Sequence, residues 1–282
     1  MASIFDKQQE GTIKLAITIP LNDVKKAQDE VIEAAVKNAN VAGFRQGKAP
    51  RKLVEENLDK EKIREEVLKK LLPLFYVESV RQHNLKPIIN PKIHVDELEE
   101  GKDWKFTAIT CEAPSIDLKD YKENIKKLTA AATFDVAKDK IIVPGKEEKK
   151  TNFDEIVAAL LDSISVTVPT ILLDLEVERL LAQTLDEIKS LGLTLESYLQ
   201  STGKNIISLK AEYAKKAEGD IKLEFALQKV AEKEHITVEE KEISEAIQKS
   251  KDDKERQSLE GNRYLLASIL RQQKTLDFLK NL

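Results

Sequence analysis

The chain has 282 residues, of which 34% are charged and 41% hydrophobic, with only 8 Pro and 9 Gly. This composition excludes an intrinsically disordered protein, and the length favours two domains over one. The 46 basic and 50 acidic side chains give a formal net charge of -4, so any contact with nucleic acid must be local.

Three features bear on where the protein works. No stretch approaches the roughly 20 apolar residues of a membrane helix, and residues 2–10 lack the basic start and apolar run of a secretory signal. Cys111 is the only cysteine, which excludes internal disulfides and multi-cysteine metal sites. We therefore expect a cytoplasmic protein with no membrane partner.

Residues 1–117 are predicted to form an α+β domain. Apolar and polar residues alternate over residues 11–19, as in a half-buried strand. Helical periodicity then predicts three helices, over Leu21 to about Val41, from Pro50 onward, and over Glu61 to His83. Turn residues predict a hairpin formed by Ile93–Asp96 and Trp104–Cys111. On the long third helix the residues expected to face inward are Ile63, Val67, Leu71, Leu74 and Val77.

The rest of the chain divides into a linker and a helical domain. Residues 118–150 combine basic residues, a small-residue run and the strand-like Ile141–Val143, which indicates a linker with some order of its own. Residues 151–282 have helical periodicity without a sustained heptad, which predicts an irregular, mainly α-helical domain. Its helices are expected to be interrupted at Gly192, Gly203, Gly219 and Gly261, and the capping-box spacing of Thr237–Glu240 predicts a helix start.

The most informative stretch is Gly43–Pro50, with the sequence GFRQGKAP between two predicted helices. Its two glycines allow a sharp turn that would hold Phe44 and Arg45 outward. Arg45 and Lys48 can meet phosphates or carboxylates, and Phe44 offers a ring to an apolar cleft or a base. The alternative is an ordinary helix connection with Phe44 packed into the core of its own domain.

This stretch resembles the GFRxGKxP signature of the trigger factor family, bacterial ribosome-associated chaperones, and it follows a strand and a long helix as that signature does. The resemblance covers residues 1–117 and resumes from about Asp154. It implies docking beside the exit tunnel of the large ribosomal subunit, on protein and rRNA, and binding of nascent or unfolded polypeptides to assist folding and export. It also implies that Phe44, Arg45, Gln46 and Lys48 make the ribosome contact and that Gly43, Gly47 and Pro50 shape the loop. Gln46 stands where many family members carry a basic residue.

The middle of the chain departs from the family pattern. Family members usually carry a prolyl isomerase domain between the two parts, and residues 118–150 are too few to hold it. Tyr121 and Phe134 are the only aromatic residues there, so an apolar pocket for proline is not expected. We therefore predict a protein without isomerase or other enzymatic activity. The remaining alternative is a helical adaptor or scaffold that binds no clients.

Client binding is predicted for an open cradle in the helical domain, because interrupted helices of unequal length do not form a closed bundle. Taken one by one, its apolar residues belong to the core more often than to a client surface. No phosphate-binding glycine motif occurs, and His83, His94 and His235 lie on separate elements, so neither ATP, another cofactor nor a metal is expected. The sequence leaves open a homodimer of the free protein. The candidate client-binding residues are Leu172, Leu175, Leu180, Leu181, Phe225, Leu265, Leu266 and Leu270.

Overall fold

A computed structural model describes residues 2–39, 44–45, 50–138, 153–250 and 252–282 of the chain. The chain divides into two compact units, residues 1–113 with Pro169–Leu172, and Pro114–Val168 with Leu173–Leu282. In the described residues the strands are β1 (Ala2–Lys7), β2 (Thr12–Ile19), β3 (Lys92–Glu97), β4 (Trp104–Cys111), β5 (Ile116–Asp117) and β6 (Ser165–Val166). The helices are α1 (Leu21–Asn38), α2 (Arg51–Asn57), α3 (Lys60–Gln82), α4 (Tyr121–Lys138), α5 (Phe153–Ser163), α6 (Thr170–Ser190), α7 (Leu195–Thr202), α8 (Ile206–Lys233), α9 (Glu240–Lys249), α10 (Asp253–Gly261) and α11 (Arg263–Lys280).

The first unit is built on an antiparallel sheet with the strand order β1-β2-β4-β3. The predicted alternation of β2 is confirmed, since its inward side chains from Ile13 to Ile19 are at most 1% exposed. They share the core with Trp104, Phe106 and Ala108 of β4. Strand β1 pairs with β2 along its whole length but was not predicted, because as an edge strand it leaves Ile4 74% exposed and so lacks a hydrophobic period.

Helices α1 and α3 pack beside each other and contribute to the same core. On α3 the buried stripe follows a spacing of four residues, through Val67 and Leu71, with Phe75 packed against the core and Ser79 buried. The prediction that Leu74 and Val77 face inward is therefore wrong. They are 59% and 44% exposed, because the side of α3 that packs against the core carries Leu72, Phe75 and Tyr76 instead.

The second unit is helical and has a core of its own, together with the short strand pair β5 and β6. Residues 118–138 differ from the linker expected from the sequence, because they contain α4. Tyr121 and Ile125 at the start of α4 are at most 1% exposed and pack in one cluster with Ile156 and Leu160 of α5. The strand-like stretch 141–143 lies outside the described residues.

The glycines of the second unit differ in role. Gly192 and Gly203 have φ angles of +70° and +65°, which are left-handed and suit the residue after a helix, as predicted for these two sites. Gly219 does not interrupt α8, which continues through it. The capping box predicted at Thr237 and Glu240 lies two residues further along the chain, where Glu239 and Glu242 are its partners. The fold class, an α+β part followed by an irregular helical part, is confirmed.

Candidate functional site

The segment that connects α1 to α2 carries the predicted docking residues. Phe44 is 44% exposed and does not belong to the core cluster of its unit, and Arg45 is exposed as well. The alternative that places Phe44 in the core therefore does not hold. Pro50 is exposed and directly precedes the first residue of α2. The remaining predicted docking residues lie outside the described residues: Gly43, Gln46, Gly47 and Lys48.

One side chain joins the two helices that flank this segment. Arg51, the first residue of α2, donates from Nη2 to Oδ1 of Asp29 on α1 at 2.6 Å. It also donates from Nε to Oε1 of Glu55 at 2.5 Å, one turn along α2. The hydrogen bonds to Glu55 and Asp29 raise the pKa of the Arg51 guanidinium, so this group is a permanent cation. Sequence reasoning missed this contact, because Arg51 and Asp29 are 22 positions apart.

The eight candidate client-binding residues are not equally accessible. Leu265 is 59% exposed, whereas Leu180 is only 7% exposed and so can serve the core but not a client surface. This agrees with the expectation that these apolar residues, taken one by one, belong to the core more often than to a client surface. The other six are half-buried: Leu172, Leu175, Leu181, Phe225, Leu266 and Leu270.

Other apolar side chains of the second unit are more exposed than these six half-buried residues. One group, which we call the α6–α8 end group, comprises Leu191, Leu193, Ile206 and Ile207, between 48% and 79% exposed. Helices α6 and α8 approach each other at one point, where the hydroxyls of Thr184 and Tyr213 lie 2.6 Å apart. A second group lies on α11, where Tyr264 is 91% exposed next to Leu265, with Ile269 at 46%. The sequence signal that could have indicated this second group is the presence of apolar residues on the outer side of a helix.

No enzymatic constellation is evident among the described residues. No group of three or more His, Cys, Asp or Glu in the described ranges could hold a metal ion. Cys111 is buried, and burial raises the pKa of its thiol to about 11, so it is not a reactive thiolate. Tyr121, one of the two aromatic residues of the predicted linker, is buried in the core of the second unit. None of the described helices is long and apolar enough to cross a membrane.

Exposed residues in the helix connection of the α+β unit and exposed apolar groups on the helical unit are features typical of proteins that bind other macromolecules. The chain belongs to the bacterial trigger factor family. The model of the bacterial trigger factor protein matches residues 1–142, and the model of its C-terminus matches residues 145–281. Only residues 143–144 separate the two matches, so no isomerase domain stands between them.

Known proteins agree with this assignment. The trigger factors of Staphylococcus carnosus strain TM300 and of Staphylococcus aureus strain JH9 are each 34% identical over 122 residues, which is 43% of this chain. The match spans only 28% of the length of these relatives. A solved structure of the trigger factor chaperone, studied for promiscuous substrate recognition in folding and assembly activities, has a TM-score of 0.66. That comparison covers 100% of this chain and 99% of the other at 12% identity, and it shows a shared fold.

Proposed function

We propose that the protein is an ATP-independent chaperone that docks on the large ribosomal subunit beside the exit tunnel and binds nascent or unfolded polypeptides. The docking residues would be Phe44, Arg45, Gln46 and Lys48, in a loop shaped by Gly43, Gly47 and Pro50. The observation that carries the proposal is the exposure of Phe44 and Arg45 within the family signature. An exposed ring beside a cation suits a surface of protein and rRNA.

The test is co-sedimentation of the purified chain with ribosomes through a sucrose cushion. We expect the wild type in the pellet and Phe44→Ala/Arg45→Ala/Lys48→Ala in the supernatant, with the melting temperature unchanged because Phe44 and Arg45 are exposed. The matched control is Ile88→Ala/Arg81→Ala/Lys86→Ala, which also removes one exposed apolar residue and two cations. Pelleting of the docking variant, or a strong loss of its stability, would contradict the proposal.

The client-binding surface is proposed to include the exposed apolar residues of the second unit. Leu265 and the α6–α8 end group are accessible without unfolding, and weak apolar contacts can form and break without a nucleotide. A helical adaptor that binds no clients is the competing function. Such an adaptor would use the same exposed apolar groups for folded partners, because large exposed apolar groups usually mark interaction sites of either kind.

We further propose that the chain has no prolyl isomerase activity. The two family matches leave no room for the isomerase domain between them, and the hydroxyl of buried Tyr121 is already bonded within the second unit. A cytoplasmic, ribosome-associated location follows from the proposed docking. A homodimer of the unbound protein would cover the same exposed apolar groups.

A further inference from the structure

The contact of Arg51 with Asp29 links the two ends of the docking segment. Helix α1 ends at Asn38 and α2 begins at Arg51, so residues 39–50 connect them. Arg51 follows Pro50 directly and reaches back to Asp29 in the middle of α1. Its second bond, to Glu55, holds the guanidinium in one orientation along α2. A planar guanidinium bonded to two carboxylates has a better defined direction than a lysine would have.

Within the described ranges, helix α2 packs mainly against α1. It is seven residues long, and Val54 is its buried residue among the side chains that the structure describes. A short helix with one buried side chain can still shift against α1, whereas an ion pair at its first residue limits this movement. The ion pairs themselves are exposed, with 45% of the Arg51 side chain and 62% of the Asp29 side chain accessible. Such pairs contribute little to global stability.

We propose that Arg51 is a positioning residue for ribosome docking, which acts through Asp29 by fixing the start of α2 against α1. This inference rests on the proposed function, because it concerns the same docking segment. Phe44 and Arg45 stand seven and six positions before Arg51, so the orientation of α2 sets where this connection ends. The alternative is that Arg51 itself contacts a phosphate of the rRNA.

A double-mutant cycle separates these two roles. Arg51→Gln, Asp29→Asn and the double variant are compared in their Kd for ribosomes and in their melting temperature. Positioning predicts that each single change weakens binding by about threefold, as expected for loss of an exposed ion pair, and that the double variant is no weaker than either single variant. We expect melting temperatures within about 2 °C of the wild type.

Glu30 provides a matched control, because it neighbours Asp29 on α1 but pairs with Lys70 on α3. Glu30→Gln therefore removes an exposed carboxylate from the same helix without touching α2, and we expect it to leave the Kd unchanged. Exchange of the two partners, Asp29→Arg/Arg51→Asp, should restore part of the affinity for ribosomes that the single variants lose. Neither result is expected if the carboxylates act only by repelling rRNA.

Several outcomes would overturn the inference. If Arg51→Gln weakens binding while Asp29→Asn leaves it unchanged or tightens it, Arg51 contacts the ribosome directly. If neither substitution changes the Kd while Phe44→Ala/Arg45→Ala/Lys48→Ala abolishes binding, the positioning role is wrong and the docking proposal stands. If the singles lower the melting temperature by more than about 5 °C, the role is structural. Absence of binding by the wild type removes both proposals.

Discussion

Tyr121 is 1% exposed, and its hydroxyl donates to Oε1 of Glu234 at 2.8 Å. Lys122 donates to the other carboxylate oxygen of Glu234 at 2.7 Å, so two consecutive residues at the start of α4 hold the residue after α8. Burial and the contact with Glu234 raise the pKa of Tyr121. The hydrogen bond from Lys122 lowers the pKa of the Glu234 carboxyl. This group joins two helices that the sequence places more than 100 positions apart.

The substitution Tyr121→Phe tests this link. It keeps the buried ring and removes the hydroxyl, so Glu234 loses one of its two donors. We expect the free energy of unfolding to fall by about 1 kcal/mol at pH 7, the typical contribution of a buried hydrogen bond. Urea denaturation followed by circular dichroism measures it. Tyr264→Phe is the control and should change nothing, because Tyr264 is 91% exposed.

The same variant has an expected pH dependence. The pKa of Glu234 is lowered in the folded protein, so the stabilisation from its carboxylate is complete above the ordinary glutamate value of 4.5. It is lost as the pH falls through the lower folded value. The difference between the wild type and Tyr121→Phe should therefore shrink below about pH 4.5. A difference that stayed constant down to pH 3 would mean that the hydroxyl does not act through the carboxylate.

At single residues the sequence predicts exposure only where the chain must turn. The glycines of the loop allowed Phe44 to point outward but left a core position open, and Phe44 is exposed. On the C-terminal helices the sequence cannot separate Leu180, which is buried, from Leu265, which is exposed. Both are leucines on apolar helices, and their burial depends on which other helix covers them. The sequence around each leucine does not show which helix covers it.

Gly219 of α8 offers a prediction at the scale of one element. It lies inside a continuous helix, and a methyl group there would meet no atom within 4 Å. Gly219→Ala should raise the free energy of unfolding by about 0.5–1 kcal/mol, because alanine loses less backbone freedom on folding and is the better helix former. Urea denaturation should show a higher midpoint with the same slope.

Gly203 supplies the contrasting variant. A methyl group there also meets no atom within 4 Å, but the φ angle of +65° is left-handed. Gly203→Ala should therefore lower stability by roughly 1–2 kcal/mol. If both alanine variants shift stability in the same direction, backbone conformation is not what distinguishes these two glycines.

The elements that could be predicted are those with a strong period and a covered face. Strands β2 and β4 and helices α1 and α3 fall into this group. Helix α4 was interpreted as a linker because basic residues and the run Ala130–Ala132 hide its short apolar face, although alanine favours helices. Helix α10 was not predicted, since none of its residues is buried. Its start is marked only by the Asp252 cap.

At the scale of the whole molecule, α4 changes where the second unit begins. Leu118, Tyr121 and Ile125 pack with α5 and α8 in one core. Burial of a large apolar side chain stabilises a fold by about 2 kcal/mol, so these three contribute about 6 kcal/mol. This is comparable with the 5–15 kcal/mol of a typical domain. A fragment of residues 151–282 therefore loses much of its stability, whereas residues 114–282 keep the core.

The fragment of residues 114–282 is expected to unfold cooperatively and to delay aggregation of a chemically unfolded client at several-fold molar excess. Residues 151–282 should melt at a lower temperature or remain unfolded.

In the longer fragment, Leu191→Ser/Ile207→Ser should reduce protection without lowering the melting temperature, because these side chains are 74% and 79% exposed. Lys210→Ser, an exposed change on α8, is the control. Light scattering measures aggregation, and full protection by the double variant would place the client surface elsewhere. A folded 114–282 fragment that protects no client would favour the adaptor function, since its apolar groups would then be accessible without binding unfolded chains.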